Sequence, residues 1–277
     1  MNGSKEQEKL SGEELEELID WVYKIHGFDF EGYTRASLKR RVVRILQMYD
    51  ISFADLKSLL VNSPDFFAEF VAEVTVNVTE MFRDPLFYRA ISEKVVPYLS
   101  TFPFIKVWNA GCSTGEEVYS FAILLQQHGL DSRTFMYGTD INTKVLDIAK
   151  SGIYDLNKMK EYASNFLGTG LHKTLSDYYV AGYDAVTISS SLKRNILFSV
   201  HNLATDGVFN EFQLISCRNV LIYFNIGLQK KVLKLFYESL CHLGFLCLGP
   251  RETLARSEFA DRFRTVDKKL NIYQKIA

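Results

Sequence analysis

Residues 106–117 read KVWNAGCSTGEE: a run fit for a buried strand, a glycine-rich turn, then two carboxylates where nucleotide-binding loops usually carry a lysine. A dinucleotide fingerprint requires GxGxxG, and a phosphate loop requires GxxxxGK followed by Ser or Thr, because backbone amides and a lysine cradle anionic oxygens. GCSTGEE has neither pattern. Glu116 and Glu117 suit the positive end of a helix but repel phosphate. The loop therefore fits a nucleoside that carries positive charge and no phosphate, and S-adenosylmethionine has that character, with a cationic sulfonium and amino group and ribose hydroxyls that donate to acids. A tight strand-to-helix turn with acidic capping is the plainer alternative. Asp140, in YGTDIN (137–142), tips the balance, because it falls where a Rossmann-type fold places its ribose-binding carboxylate, at the end of the next strand.

Alternating strands and helices are needed to hold such a loop, and the sequence supplies them from about Phe104. Strands are expected at Ile105 to Trp108, Thr134 to Gly138, Ile196 to Val200, Phe212 to Ser216 and Phe245 to Leu248, with helices between most of them. That alternation predicts a parallel sheet covered on both faces. Tyr178 to Ala181 and Ala185 to Ile188 flank a Gly182, Tyr183, Asp184 turn and predict a β-hairpin inserted at about 175–192. The preceding residues read as helical. Ser11 and Glu14 form a capping box ahead of Leu15, Leu18, Ile19 and Val22. A second helix buries Leu38, Val42, Ile45 and Leu46, Ser52 caps a third, and Pro64 opens a fourth. Asp84 and Pro85 read as N-cap and first turn of a bridging helix through Phe87, Tyr88, Ile91 and Val95, with Pro97 near its end.

Composition limits the function classes. The chain has 277 residues, 47% hydrophobic and 14% aromatic, enough to bury one large core or a large and a small one. Its formal net charge of -1 gives no general reason to expect nucleic acid as a partner. No apolar run approaches the ~18 residues of a membrane span, and Met1 to Leu10 carries no signal-like apolar stretch, so a cytoplasmic protein without membrane insertion is expected; a monomer is expected as well. Cys112, Cys217, Cys241 and Cys247 form no CxxC pair and have no histidine at metal spacing, so no metal site is expected.

Five blocks, NVTEMFRDP (77–85), WNAGCSTGEEVYSFA (108–122), GTDIN (138–142), ISCRNVLIYFN (215–225) and GFLCLGPRETL (244–254), arrive in an order that resembles the CheR-type chemotaxis receptor methyltransferases. The resemblance implies an all-α N-terminal domain over 1–76, a linker and bridging helix over 77–103, and a Rossmann-like S-adenosylmethionine-dependent domain over 104–277 with an inserted small antiparallel β-subdomain. It also implies glutamyl methyl ester formation on the cytoplasmic helices of chemoreceptors, with S-adenosylhomocysteine as product. Carried onto matching positions, the cofactor contacts are Asn77, Thr79, Arg83, Glu116, Asp140, Asn202, Leu203, Arg218 and Asn219. The sequence itself leaves open whether Glu116 or Glu117 faces the ligand. Chemistry supports several of these roles: Asp140 accepts from ribose, Asn202 offers an amide to adenine, and Arg83 pairs with a carboxylate. Arg83 and Tyr223 are the candidates for orienting the substrate carboxylate.

Arg35, Lys39, Arg40, Arg41 and Arg44 place five cations within ten residues, opposite the apolar face of the second helix. Such a run usually faces solvent, and the resemblance suggests docking of an acidic receptor helix. The short turn in VAGYDAVTI (180–188) resembles family members that work without the receptor's C-terminal pentapeptide. A catalytically silent chemosensory scaffold and a small-molecule O-methyltransferase are the alternatives. The first would lack polar residues at the loop and strand ends, and the second would replace the basic helices with an apolar lid.

Overall fold

The computed structural model describes residues 10–75, 78–255 and 257–277. The chain divides into two compact units, one of residues 1–76 with Tyr223–Leu228, the other of Asn77–Ile222 with Gln229–Ala277.

The first unit holds α1 (Gly12–His26), α2 (Arg35–Tyr49), α3 (Phe53–Asn62) and α4 (Pro64–Val74). Local sequence sets their starts. Ser11 and Glu14 cap α1 reciprocally, Ser52 and Asp55 do the same for α3, and the Ser63 hydroxyl accepts from Phe66 N ahead of Pro64. Leu18, Val22, Leu38, Val42, Ile45, Leu56, Leu60 and Phe70 meet in one buried cluster. Each such side chain contributes about 1.5–3 kcal/mol through removal from water. Tyr223–Leu228 completes this unit: Tyr33 and Phe224 form an antiparallel bridge with rings edge to face at 5.1 Å, and Thr34 N donates to Tyr223 O at 2.9 Å.

The second unit opens with α5 (Pro85–Ala90), which runs through a π-helical turn, Ile91–Val95, into α6 (Val96–Leu99). Pro97 accounts for the irregularity, since its ring and missing N–H disfavour a regular bond to the preceding turn. There follow β1 (Ile105–Ala110), α7 (Glu116–Gln127), β2 (Thr134–Asp140), α8 (Thr143–Ser151), β3 (Ile153–Asp155), α9 (Met159–Thr169), β4 (Tyr179–Ala181), β5 (Ala185–Ile188), α10 (Ser190–Lys193), β6 (Ile196–Val200), β7 (Phe212–Cys217), α11 (Ile226–Ser239), β8 (Leu240–Leu248), β9 (Phe263–Asp267) and β10 (Ile272–Lys275).

Seven strands form one sheet in the order β6-β2-β1-β7-β8-β10-β9. β10 runs antiparallel to both its neighbours, and the other pairings are parallel. Chain order reverses between β1 and β7, which creates the crevice where open α/β sheets bind ligands at their carboxyl ends. The inserted sheet has three strands, β3-β5-β4, rather than the two of the expected hairpin. Among the described residues no helix is long and apolar enough to cross a membrane.

Candidate active site

The turn after β1 is built from backbone. Gly111 N and Cys112 N both donate to Thr139 O on β2, at 2.8 and 2.9 Å. Ser113 follows with φ 49°, and Gly115 with φ 90°. A Cβ at Gly115 would stand 2.8 Å from the Ala149 side chain of α8, so only glycine fits both the dihedral and the space. Asp140, the last residue of β2, is 8% exposed. Its Oδ2 accepts from Ser113 N at 2.9 Å and its Oδ1 from Asn142 N at 3.0 Å. An ionised carboxylate has about four acceptor sites, so some capacity remains for ligand hydroxyls. Burial pushes its pKa up, against the lowering effect of the backbone N–H bonds.

Glu116 and Glu117 begin α7 and diverge. Glu116 is 1% exposed, accepting from Thr114 Oγ1 at 2.6 Å and Tyr162 OH at 3.3 Å, and burial raises its pKa. Glu117 turns to the crevice between β1 and β7, where it accepts from Ser216 Oγ at 2.6 Å, Asn109 Nδ2 at 3.2 Å and Arg218 Nη1 at 3.1 Å. Arg218 donates its other arm to Asp84 Oδ2 at 2.6 Å and lies over the Phe87 ring at 4.0 Å. Asp84 is the N-cap of α5 with Pro85 in the first turn, as the sequence suggests, but its side chain makes no capping bond and pairs with Arg218 instead.

The turn carrying Arg83 is strained: Phe82 and Asp84 on either side have φ 54° and 59°. Phe82 N donates to Ser120 Oγ at 2.9 Å, and Ser120 Oγ donates to Glu116 O at 2.7 Å, so α7 anchors this turn. Arg83 is half-buried, and among the described residues its side chain makes one long contact, to Val78 O at 3.5 Å. Thr79 is half-buried, and Asn77 lies outside the described residues.

Beyond β6, Asn202 Oδ1 accepts from Ala204 N at 2.9 Å, which orients its amide, and Leu203 beside it is buried. Asn219, with φ 63°, follows Arg218 after β7. Tyr223 falls in the helical unit. Sequence reasoning missed Glu252, which is buried after β8 and, among the described residues, accepts from the backbone N–H groups of the 219–221 turn and Gly249. Backbone donors leave no signature in sequence.

The expected docking cations all lie on α2. Arg35 is committed within its unit, with Nε and Nη2 on Glu16 at 2.5 and 2.9 Å and Nη1 on Glu31 O at 3.0 Å. Arg40 and Arg44 are exposed, and Lys39 and Arg41 half-buried. Among the described residues none of these four has a carboxylate within ion-pair distance.

Among the described residues, four buried polar atoms near the strand ends have no protein partner: Asn109 Oδ1, Ser113 Oγ, Asn142 Nδ2 and Arg218 Nε. Buried polar atoms without partners are costly, so these atoms around the β1 turn make it the candidate ligand site. Family comparison decides which one. The CheR methyltransferase SAM binding domain matches residues 77–272, and the CheR methyltransferase all-alpha domain matches residues 13–75. The chain belongs to the CheR methyltransferase family. The protein Cher3 of Pseudomonas putida, a methyltransferase by name, is 47% identical over 95% of this chain and 96% of its own. The chemotaxis protein methyltransferase of Listeria monocytogenes is 30% identical over 82% of this chain and 85% of its own, and that of Salmonella typhimurium 31% over 93% and 90%. This CheR chain is thus a methyltransferase whose cofactor is S-adenosylmethionine. The residues present fit that group: free acceptor capacity on Asp140, unpartnered donors and acceptors along the loop, and no phosphate-binding lysine.

Proposed function

We propose that this protein methylates glutamate side chains on the cytoplasmic helices of chemoreceptors, using S-adenosylmethionine and forming methyl esters. The observation that carries the reading is the crevice at the ends of β1, β2 and β7, where an acidic glycine turn with no phosphate-binding lysine meets unpartnered buried polar atoms. The cofactor supplies an activated methyl group. A glutamate with a pKa near ~4.3 is already ionised at neutral pH and needs no strong base to attack it. What this chain contributes is alignment. In this reading Asp140 accepts from the ribose hydroxyls, Asn202 donates its free amide N–H to the adenine edge, and Leu203 packs beside it. Thr79 and Arg83 attend the charged end of the cofactor or the substrate carboxylate, with Glu116 and Glu117 shaping the floor. Arg218 and Asn219 close the pocket from the end of β7.

The acceptor side is served by α2, whose exposed Arg40 and Arg44 suit an acidic helix. The deciding experiment incubates the protein with receptor-containing membranes and methyl-labelled cofactor. Label on the receptor that alkali releases as methanol supports the ester. Label that resists alkali, or none on receptors while the cofactor binds, would count against it.

A further inference from the structure

Glu252 is 5% exposed and takes no part in the roles described so far. Its Oε1 accepts from Val220 N and Leu221 N, both at 2.8 Å, and its Oε2 from Asn219 N at 3.1 Å and from Gly249 N. Those four N–H groups fill the acceptor capacity of one carboxylate. Three of them belong to the three residues directly after Arg218. Asn219, the first, holds φ 63°, a left-handed conformation that a non-glycine residue keeps only when its surroundings enforce it. Gly249 is what allows the approach: a Cβ there would stand 2.7 Å from both Asn219 N and Glu252 Oε2. On the other side of the turn, Arg218 is fixed by Glu117 and Asp84.

We propose that Glu252 is a positioning residue for the cofactor site, its carboxylate clamping the 219–221 backbone and so aiming Arg218 and Asn219 at the crevice. The inference rests on the reading that Arg218 and Asn219 line the cofactor pocket. It differs from a plain contribution to folding, because the clamp must affect ligand affinity in protein that is already folded. A glutamine at this position keeps one acceptor oxygen and turns an NH2 toward N–H groups, whereas aspartate keeps the charge on a shorter stem.

The test is calorimetric binding of S-adenosylhomocysteine to the full chain, well below the melting transition, for wild type, Glu252→Gln and Glu252→Asp. Val232→Ala, a buried truncation in α11, serves as a destabilised control. The expected result is at least a tenfold rise in Kd for Glu252→Gln, partial recovery for Glu252→Asp, and wild-type affinity for Val232→Ala. Amide exchange at residues 219–221 should accelerate most in Glu252→Gln, less in Glu252→Asp, and not selectively in Val232→Ala. Should Glu252→Gln not fold, Gly249→Ala, which presses on the same contact, takes its place with the same expectation. Wild-type affinity in a folded clamp variant, or equal losses in the control, overturns the inference alone. No binding by the wild type overturns the cofactor reading and the inference with it.

Discussion

Arg218 Nη2 donates to Asp84 Oδ2 at 2.6 Å across 134 residues of sequence, joining the end of β7 to the start of α5. The same guanidinium holds Glu117 at 3.1 Å with its other arm. Its side chain is 2% exposed, against 17% for Glu117 and 41% for Asp84. Burial disfavours its charge, yet Glu117, Tyr88 and Asp84 more than offset this, and its pKa moves up. One buried cation thus ties together the strained turn of Arg83, the first turn of α7 and the end of β7.

Removing that cation should cost more than a surface ion pair. Arg218→Ala leaves Glu117 facing a buried void, and breaking a buried pair from one side costs about 3–5 kcal/mol. The lower end, about 3 kcal/mol, is expected because Asp84 is partly solvated. Urea unfolding of the variant and wild type measures it. A loss under about 1 kcal/mol, the surface-pair range, would mean the cluster adds little to stability.

Asp140→Ala should weaken S-adenosylhomocysteine binding by about 10- to 100-fold, because hydrogen bonds to a charged acceptor are worth about 1.5–3 kcal/mol. The same change also frees Ser113 N and Asn142 N, so the loop loses its tether. Asp140→Asn should lose less, since one oxygen remains. Calorimetry on folded protein separates them, and unchanged affinity in both would remove Asp140 from the site.

Much of the candidate site was legible in sequence because its spacing follows from strand ends. The glycine turn and Asp140 close β1 and β2, and both can be found by reading where apolar runs stop. Ser11 with Glu14 marked a helix start for a similar reason, the partners being three residues apart. What stayed hidden was set by distant or backbone partners. Asp84 before Pro85 reads as an N-cap and stands at that position, but nothing local says that Arg218 claims its carboxylate. The divergence of Glu116 and Glu117 depends on Tyr162 and Ser216, far along the chain. β3, β9 and β10 are three to five residues long and lack a continuous apolar run, so no period betrays them.

Acid should weaken cofactor binding earlier than an ordinary aspartate would suggest. Burial raises the pKa of Asp140, Glu116 and Glu252. Asp140 must be ionised to accept from hydroxyls while it holds two N–H groups, so affinity should begin to fall above the usual carboxylate range of about 4 as pH drops. Stability has the opposite sign. Raised pKa values mean the folded state binds more protons than the unfolded one, so these groups favour folding most below the unfolded pKa. That contribution is lost as pH rises through the folded pKa. Titrating S-adenosylhomocysteine affinity and urea midpoint over the same pH series checks both signs. Affinity that is flat down to pH 4 would contradict the first.

The exposed cations of α2 should govern receptor capture and leave the cofactor site untouched. Arg40 and Arg44 are four residues apart on the solvent side of the helix, with Leu38, Val42 and Ile45 buried on the other. Arg35 should be spared, because its ties to Glu16 and the Glu31 carbonyl hold its own unit together. Replacing Arg40 and Arg44 with alanine therefore removes charge at little structural cost, and stability should stay within about 0.5 kcal/mol. Charges at the rim of an interface act mainly on association rate and salt dependence. Methylation of receptors should thus fall severalfold at low receptor concentration and recover toward wild type at saturation. Rising salt, which screens such charges over about 10 Å at 0.1 M, should slow the wild type much more than the variant. S-adenosylhomocysteine affinity should be unchanged, which separates docking from a general defect. Wild-type efficiency and salt response in the stable double variant would leave α2 a solvated face.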